Sequence, residues 1–282
     1  MTNPERFGLG CNVTKMKPTG EHHFRPLTSE DFPRLYETFR EAFSDYVVPF
    51  APTTEQLFEM LTRRGWKPEL SVGAFDGERM VGFTANGFDG VTAYDSGTGV
   101  VPSHRRQGLS RAMFDWLTPR LRDAGARNYL LEVIETNAAA EALYRGLGFV
   151  ETRRFDCYVY EARPDAPQFG FTSPNPAWWD VQPPWQNSSD SLARARDPHV
   201  VIGDERGYAV VFPSNGDLAQ LAVAPEHRRR GLGRQLLDAA GAIAGKPLRI
   251  LNVDDRDAGI AAFFQSIGAR RIIRQIEMVL AL

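Results

Sequence analysis

Residues 100–117 read VVPSHRRQGLSRAMFDWL, and residues 223–240 read VAPEHRRRGLGRQLLDAA. Nine of the eighteen positions agree: Val100, Pro102, His104, Arg105, Arg106, Gly108, Leu109, Arg111 and Asp115 recur 123 residues later. Solenoid units run to about 20–50 residues. A period this long points instead to two tandem domains in a chain of 282 residues, each large enough to bury its own core.

Both copies place an apolar strand before a basic glycine turn and an amphipathic helix after it. The first turn is Arg105, Arg106, Gln107, Gly108, Leu109, Ser110; the second is Arg228, Arg229, Arg230, Gly231, Leu232, Gly233. A turn that opens a helix leaves backbone N–H groups unpaired at the positive end of the helix dipole. Glycine lets that backbone come close to an anion, and the arginines add charge. The pattern reads as a pyrophosphate cradle. One copy alone reads equally well as an ordinary basic turn; the duplication favours the cradle. The G-x-G-x-x-G spacing of dinucleotide folds and the Gly-Lys-Ser/Thr of a P-loop are both missing.

Upstream, His23–Leu27 reads as a short strand and SEDFPRLYETFREAF as a helix capped by Ser29 or Glu30. TTEQLFEMLTRRG reads as a second helix. Strands LSVGAFDG and RMVGFTANG are joined at Asp76-Gly77, a strong hairpin signal, and another strand follows near Val91–Val101. After the turn and its helix, NYLLEVIE reads as a buried strand, AAAEALYRGLGF as a short helix, and RRFDCYVYEA as the strand that closes the half. Six prolines between Pro164 and Pro184 exclude regular structure over most of that span. Trp178, Trp179 and Trp185 mark the same span as packed rather than free. The second half repeats the strands, turn and helices but offers no clear copy of the first strand and first two helices. The expected organisation is 1–162, a connector 163–197, and 198–282.

The composition is ordinary for a globular protein, with 33 Lys and Arg against 35 Asp and Glu. That balance argues against a nucleic-acid binder. Cys11 and Cys157 are the only cysteines, so a disulfide framework is not expected. The first residues lack a signal peptide's apolar core, and no run is long enough to span a membrane. A soluble, cytoplasmic protein is the expectation. No His, Cys, Asp or Glu spacing suggests a metal site, and no nucleophile elbow is present.

V-x-P-x-x-R-R-x-G-x-S, followed by L-E-V-x-x-x-N-x-x-A-x-x-L-Y-x-x-x-G-F, resembles the GNAT superfamily of acyl-coenzyme A dependent N-acyltransferases. Residues 23–160 resemble the whole domain and residues 198–282 its later two thirds. The resemblance implies an α/β fold of two tandem GNAT-like domains, each a mixed, mostly antiparallel twisted sheet flanked by helices, the C-terminal copy shortened at its start. It implies acetyl-coenzyme A as co-substrate and a primary amine of a small molecule or peptide as acceptor, attacking the thioester directly. The backbone of Val100 and Val101 would hold the pantetheine arm, Arg105–Ser110 the pyrophosphate, and Asn137 the arm again.

Such a reaction needs a base for the ammonium and an acid for the departing thiolate. Tyr144 matches the family's acid. Glu132 matches the base of the branch that acetylates ribosomal-protein N-termini, with Glu135 and Asp95 as other candidates. Read as structure alone, Tyr144 is a core tyrosine beside Leu143 and Leu147, and Glu132 a salt-bridged strand residue. Val223, Arg228, Arg229, Arg230, Gly231 and Gly233 offer a second cofactor site. Aligned after the turns, Asn252 stands where Glu132 does, Phe264 where Tyr144 does, and Asp257 where Asn137 does. The second half is therefore expected not to catalyse. The competing function is a coenzyme A-binding regulatory or scaffolding protein without turnover. The acceptor's identity and the oligomeric state are not legible.

Overall fold

The computed structural model describes residues 22–46, 48, 50–256 and 258–282. Cys11, Val47, Pro49 and Asp257 lie outside that set. Among the described residues twelve strands form one sheet. In the first half they are β1 (His23–Pro26), β2 (Val72–Asp76), β3 (Arg79–Phe88), β4 (Thr92–Val100), β5 (Asn128–Ile134) and β6 (Val150–Tyr160). In the second they are β7 (Gly170–Phe171), β8 (Val200–Asp204), β9 (Gly207–Phe212), β10 (Asp217–Val223), β11 (Leu248–Asp254) and β12 (Arg270–Ala281). The helices are α1 (Phe32–Ala42), α2 (Thr54–Arg63), α3 (Leu109–Asp123), α4 (Ala138–Gly146), α5 (Ser189–Arg194), α6 (Leu232–Ala244) and α7 (Ala258–Ser266).

The strand order is β1-β2-β3-β4-β5-β12-β6-β11-β10-β9-β8-β7. Exchanging the halves maps this order onto itself. β6 does not close the first half as the sequence implies. Instead β12, from the end of the chain, pairs along all of β5, Gln275↔Ile134 through Ala281↔Asn128. β6 lies between β12 and β11. The two halves have traded their final strands. A shift of 120 residues carries the pair Arg154↔Ile276 onto Arg274↔Asp156, so a pseudo-twofold axis passes at Phe155↔Gln275.

β7 is the copy of β1 that the sequence conceals. It is cut to two residues and pairs antiparallel with β8, as β1 does with β2. Proline-rich sequence hides it, because Pro174 and Pro176 stop the strand almost at once. The chain into α1 also differs from expectation. Its entry is fixed by Thr28 and Asp31, not by Ser29 or Glu30: the Asp31 carboxylate accepts from the Thr28 N–H at 2.9 Å and from Arg25 at 2.7 Å. That pairing holds the Asp31 carboxyl down at about 2.

Each half has its own apolar core. The first gathers Leu109, Met113, Phe114, Leu117 and Leu121 of α3 against Tyr129, Leu131 and Val133 of β5. It also takes Ile276 and Met278 from β12. The second packs Leu232, Leu236, Leu237 and Ala240 of α6 against Ile250 of β11, and takes Tyr158 and Tyr160 from β6. The exchange thus locks one core to the other.

The connector is folded onto both halves. Trp179 Nε1 donates to the Tyr208 hydroxyl at 2.6 Å. Trp185 stacks on Tyr94 with ring centroids 5.1 Å apart and donates to the Arg64 carbonyl at 2.9 Å. A tryptophan satisfies both its ring and its N–H this way.

Candidate active site

The parallel pair β4 and β5 is bonded only at Thr92↔Asn128, Ala93↔Tyr129 and Tyr94↔Leu130. Beyond that the strands separate. β10 and β11 do the same after Asp217↔Arg249 and Leu218↔Ile250. Each gap opens toward a glycine turn.

The two turns share one backbone geometry. Gly108 and Gly231 stand before α3 and α6 with φ of 80° and 87°, and neither helix start has a side-chain cap. Arg106 and Arg229 are also left-handed, at 61° and 62°. A non-glycine residue is strained there, and both copies retain it. Consecutive turned residues aim their N–H groups into one concavity, which suits an anion. Among the described residues, a Cβ added at Gly108 or Gly231 would meet nothing within 4 Å, which leaves space over each turn.

The first arginine of each turn is committed elsewhere. Arg105 donates through Nε to the Val100 carbonyl at 3.1 Å, to the Ala42 carbonyl at 2.8 Å and to both Asp45 oxygens at 2.7 Å. Arg228 repeats the set with Val223, Trp178 and Asp180. The connector therefore supplies to the second half what the end of α1 supplies to the first. Arg106 and Gln107 are exposed at the rim, Leu109 is buried beneath the turn, and Ser110 is half-buried. Val101 spends its N–H on Val81 and its carbonyl on His104. Strand alternation then turns the Val100 N–H toward the gap.

Tyr144, on α4, is buried against Phe114 and Phe149. Its hydroxyl interacts with Asp95 and Thr98 of β4. Burial and then the Asp95 charge push it well above the usual phenol range, so it stays protonated. Asp95 accepts from the Thr98 hydroxyl at 2.8 Å and the Gly97 N–H at 2.9 Å. Burial raises it to about 6 against those bonds. Asn137 caps α4 through the Ala140 N–H at 3.2 Å and also meets Tyr46. Tyr46 belongs to a loop 91 residues before Asn137, so no local pattern in the sequence pairs the two.

Glu132 lies on the other face of β5. Leu131 and Val133 share a core with Tyr144, and alternation sends the residue between them the opposite way. Its Oε2 accepts from the Tyr94 hydroxyl at 3.1 Å and from Asn252 Nδ2 at 2.5 Å. Its Oε1 is closed off from solvent and has no hydrogen-bond partner among the described residues. Burial raises this carboxyl to about 7, with Arg64 pulling down and Glu277 pushing up. Glu135, by contrast, pairs with Arg154 at the surface of the central strands. The structure brings Tyr144 and Asp95 together and sets Glu132 apart from them, across the gap.

In the second half, Phe264 is buried and stacks on Tyr158 at 4.8 Å. A cleft of about 800 Å³ runs from the turn at Arg228 to Gly233 along β10 and β11, reaching Trp178, Asn252 and Phe263.

Residues 32–149 match the model of the acetyltransferase (GNAT) family, and residues 194–268 match that of an acetyltransferase (GNAT) domain. The chain belongs to the GNAT family. The [ribosomal protein bS18]-alanine N-acetyltransferase of Escherichia coli is 48% identical over 52 residues, which are 18% of this chain and 35% of that relative. The match thus spans 35% of the length of the curated relative. A tandem GNAT protein from the clavulanic acid biosynthesis pathway superposes with a TM-score of 0.67 at 17% identity, covering 93% of this chain and 98% of its own. A GCN5-related N-acetyltransferase from Sphaerobacter thermophilus gives 0.69 at 12%, covering 92% and 95%. At these identities the likeness is one of fold, and it extends over both GNAT halves. Among the described residues no helix is long and apolar enough to cross a membrane.

Proposed function

We propose that this GNAT protein moves an acetyl group from acetyl-coenzyme A to a primary amine of a small molecule or peptide, with the chemistry in its first half. The observation that carries the reading is the unpartnered Oε1 of Glu132 on one side of the β4–β5 gap and the protonated Tyr144 on the other. Acetyl-coenzyme A supplies the thioester carbonyl that the amine attacks. The N–H groups around Arg106 and Gly108 would hold its pyrophosphate, and the Val100 N–H its arm. Glu132 takes the ammonium proton, leaving a nitrogen lone pair. Tyr144 gives its proton to the departing sulfur, and Asp95 with Thr98 aims the phenol. Asp95, held by Gly97 and Thr98, serves Tyr144 and leaves the base role to Glu132. The test is a panel of amines, including peptides with an N-terminal alanine, scored by thiol release. Silence across the panel with coenzyme A still bound would favour the scaffolding alternative.

The second half reads as non-catalytic, since Phe264 carries no proton and Asn252 cannot accept one. Its intact turn and cleft leave it able to hold a second coenzyme A.

Two results follow. In a Gly231→Trp background that silences the second turn, Gly108→Trp should weaken acetyl-coenzyme A binding by more than about tenfold, the worth of one charge-assisted hydrogen bond of about 1.5–3 kcal/mol. Unchanged calorimetric affinity in the folded double variant would remove the cradle from Arg105–Ser110. Second, kcat/KM should fall about tenfold per pH unit below the Glu132 value of about 7, because only the ionised carboxylate accepts a proton. Glu132→Gln should abolish that acid limb.

A further inference from the structure

Asn252 sits at a β-bulge between Ile250 and Val253, with φ of 59°. Bulges re-aim side chains, and asparagine is among the few residues that tolerate this left-handed backbone. Here the bulge turns the Asn252 amide across the pseudo-twofold axis and onto the first half's Glu132 at 2.5 Å.

The amide's orientation is fixed from behind. Asn252 Oδ1 accepts from Gln275 Nε2 at 2.9 Å and from the Cys157 thiol at 3.5 Å. With the oxygen so engaged, Nδ2 must face Glu132. Together with the Tyr94 hydroxyl it fills Oε2, which leaves Oε1 as the oxygen free to accept. Without Asn252 the carboxylate keeps one weak partner and can rotate about its last bond.

We propose that the second half contributes Asn252 to the first half's reaction, as a positioning residue that holds the Glu132 carboxylate with Oε1 free. The proposal rests on the reading of Glu132 as base. It gives the non-catalytic half a chemical role, in which the residue that replaced its own base steadies the base of its twin. The exchanged strands are what make the reach possible, since β12 and β6 carry Gln275 and Cys157 between the two positions.

The groups that face Glu132 set the sign of the expected effect. Tyr94 on β4 donates to it, Arg64 after α2 is attractive, and Glu277 on β12 is repulsive. Arg153 and Cys157 of β6 also feel its charge. Changing Asn252 leaves Tyr94, Arg64, Glu277 and Arg153 in place and takes an acceptor from the Cys157 thiol; the Asn252 amide itself favours the ionised carboxylate. Removing that donor raises the carboxyl further.

Asn252→Gly keeps the left-handed backbone and deletes the amide; Asn252→Asp keeps its shape and places a second carboxylate there. The acid limb of kcat/KM is expected to move up by about one pH unit in the glycine variant. It should move further in the aspartate variant, where two carboxylates share a proton. Above the limb the rate should stay below that of the unaltered protein, because the ionised carboxylate is no longer held with Oε1 free, and in the Gly231→Trp background acetyl-coenzyme A affinity should not change. A limb that stays in place, or a rate loss equal at every pH, would overturn the proposal. If Glu132→Gln keeps the same limb, it is the assignment of the base that fails, whatever Asn252 does.

Discussion

Tyr144→Phe is expected to lower the rate of acetyl transfer by about 10²–10⁴-fold, the usual worth of a positioned general acid, and to leave acetyl-coenzyme A affinity intact. The ring is buried between Phe114 and Phe149 in edge-on contacts, and phenylalanine keeps all of that packing. What leaves is the hydroxyl alone. Its charge-assisted interaction with the Asp95 carboxylate is worth about 1.5–3 kcal/mol of stability, so a drop in melting temperature accompanies the kinetic loss. The Asp95 carboxylate keeps Thr98 and Gly97 as partners and is not stranded. Single-turnover measurement separates chemistry from product release. A loss of less than about threefold in that measurement would mean that another group protonates the thiolate, and Tyr144 would be a core residue beside Leu143 and Leu147 as its burial alone suggests.

The repeat, the turns and most elements were legible because each depends on neighbours in sequence. Gly108 and Gly231 mark a helix start, Asp76-Gly77 a hairpin, and the apolar run of NYLLEVIE a buried strand. The strand exchange was not legible. Alternation in β6 and β12 tells which face each residue takes, but not which strand lies alongside. The committed state of Arg105 was hidden for a similar reason, since its partner Asp45 lies 60 residues away. One signal was available: Arg228 and Asp180 repeat the pair in the second half. At the site, the resemblance to the GNAT pattern pointed to Tyr144 and Glu132, and alignment of the two halves pointed to Asn252 as a lost base. Only three-dimensional proximity shows that Asn252 touches the residue whose place it occupies.

Cutting the chain after Ala162 is expected to give neither half as a folded, active protein. Residues 1–162 keep β5 and β6 but lose β12 from between them. With it go Ile276 and Met278, 1% and 0% exposed in the first core. Loss of one such side chain costs about 2–5 kcal/mol, so losing both consumes most of a total stability of about 5–15 kcal/mol. The seven-residue pairing along β5 goes as well. β6 is a poor replacement. It is antiparallel to β12, and β12 is antiparallel to β5, so β6 runs parallel to β5 and would have to turn round to inherit those bonds. On the face where β12 supplies Ile276, β6 offers Arg154 as its paired neighbour. Residues 163–282 lose β6 in turn, with Tyr158 and Tyr160 of the second core and the 2.6 Å bond from Tyr160 to Asp238. Mixed in equal amounts, the two fragments should fold on each other and recover turnover, because every strand then has its partner. A fragment 1–162 that is folded by circular dichroism and acetylates at the full rate would show that the exchanged strands are dispensable, and with them the reach of Asn252 to Glu132.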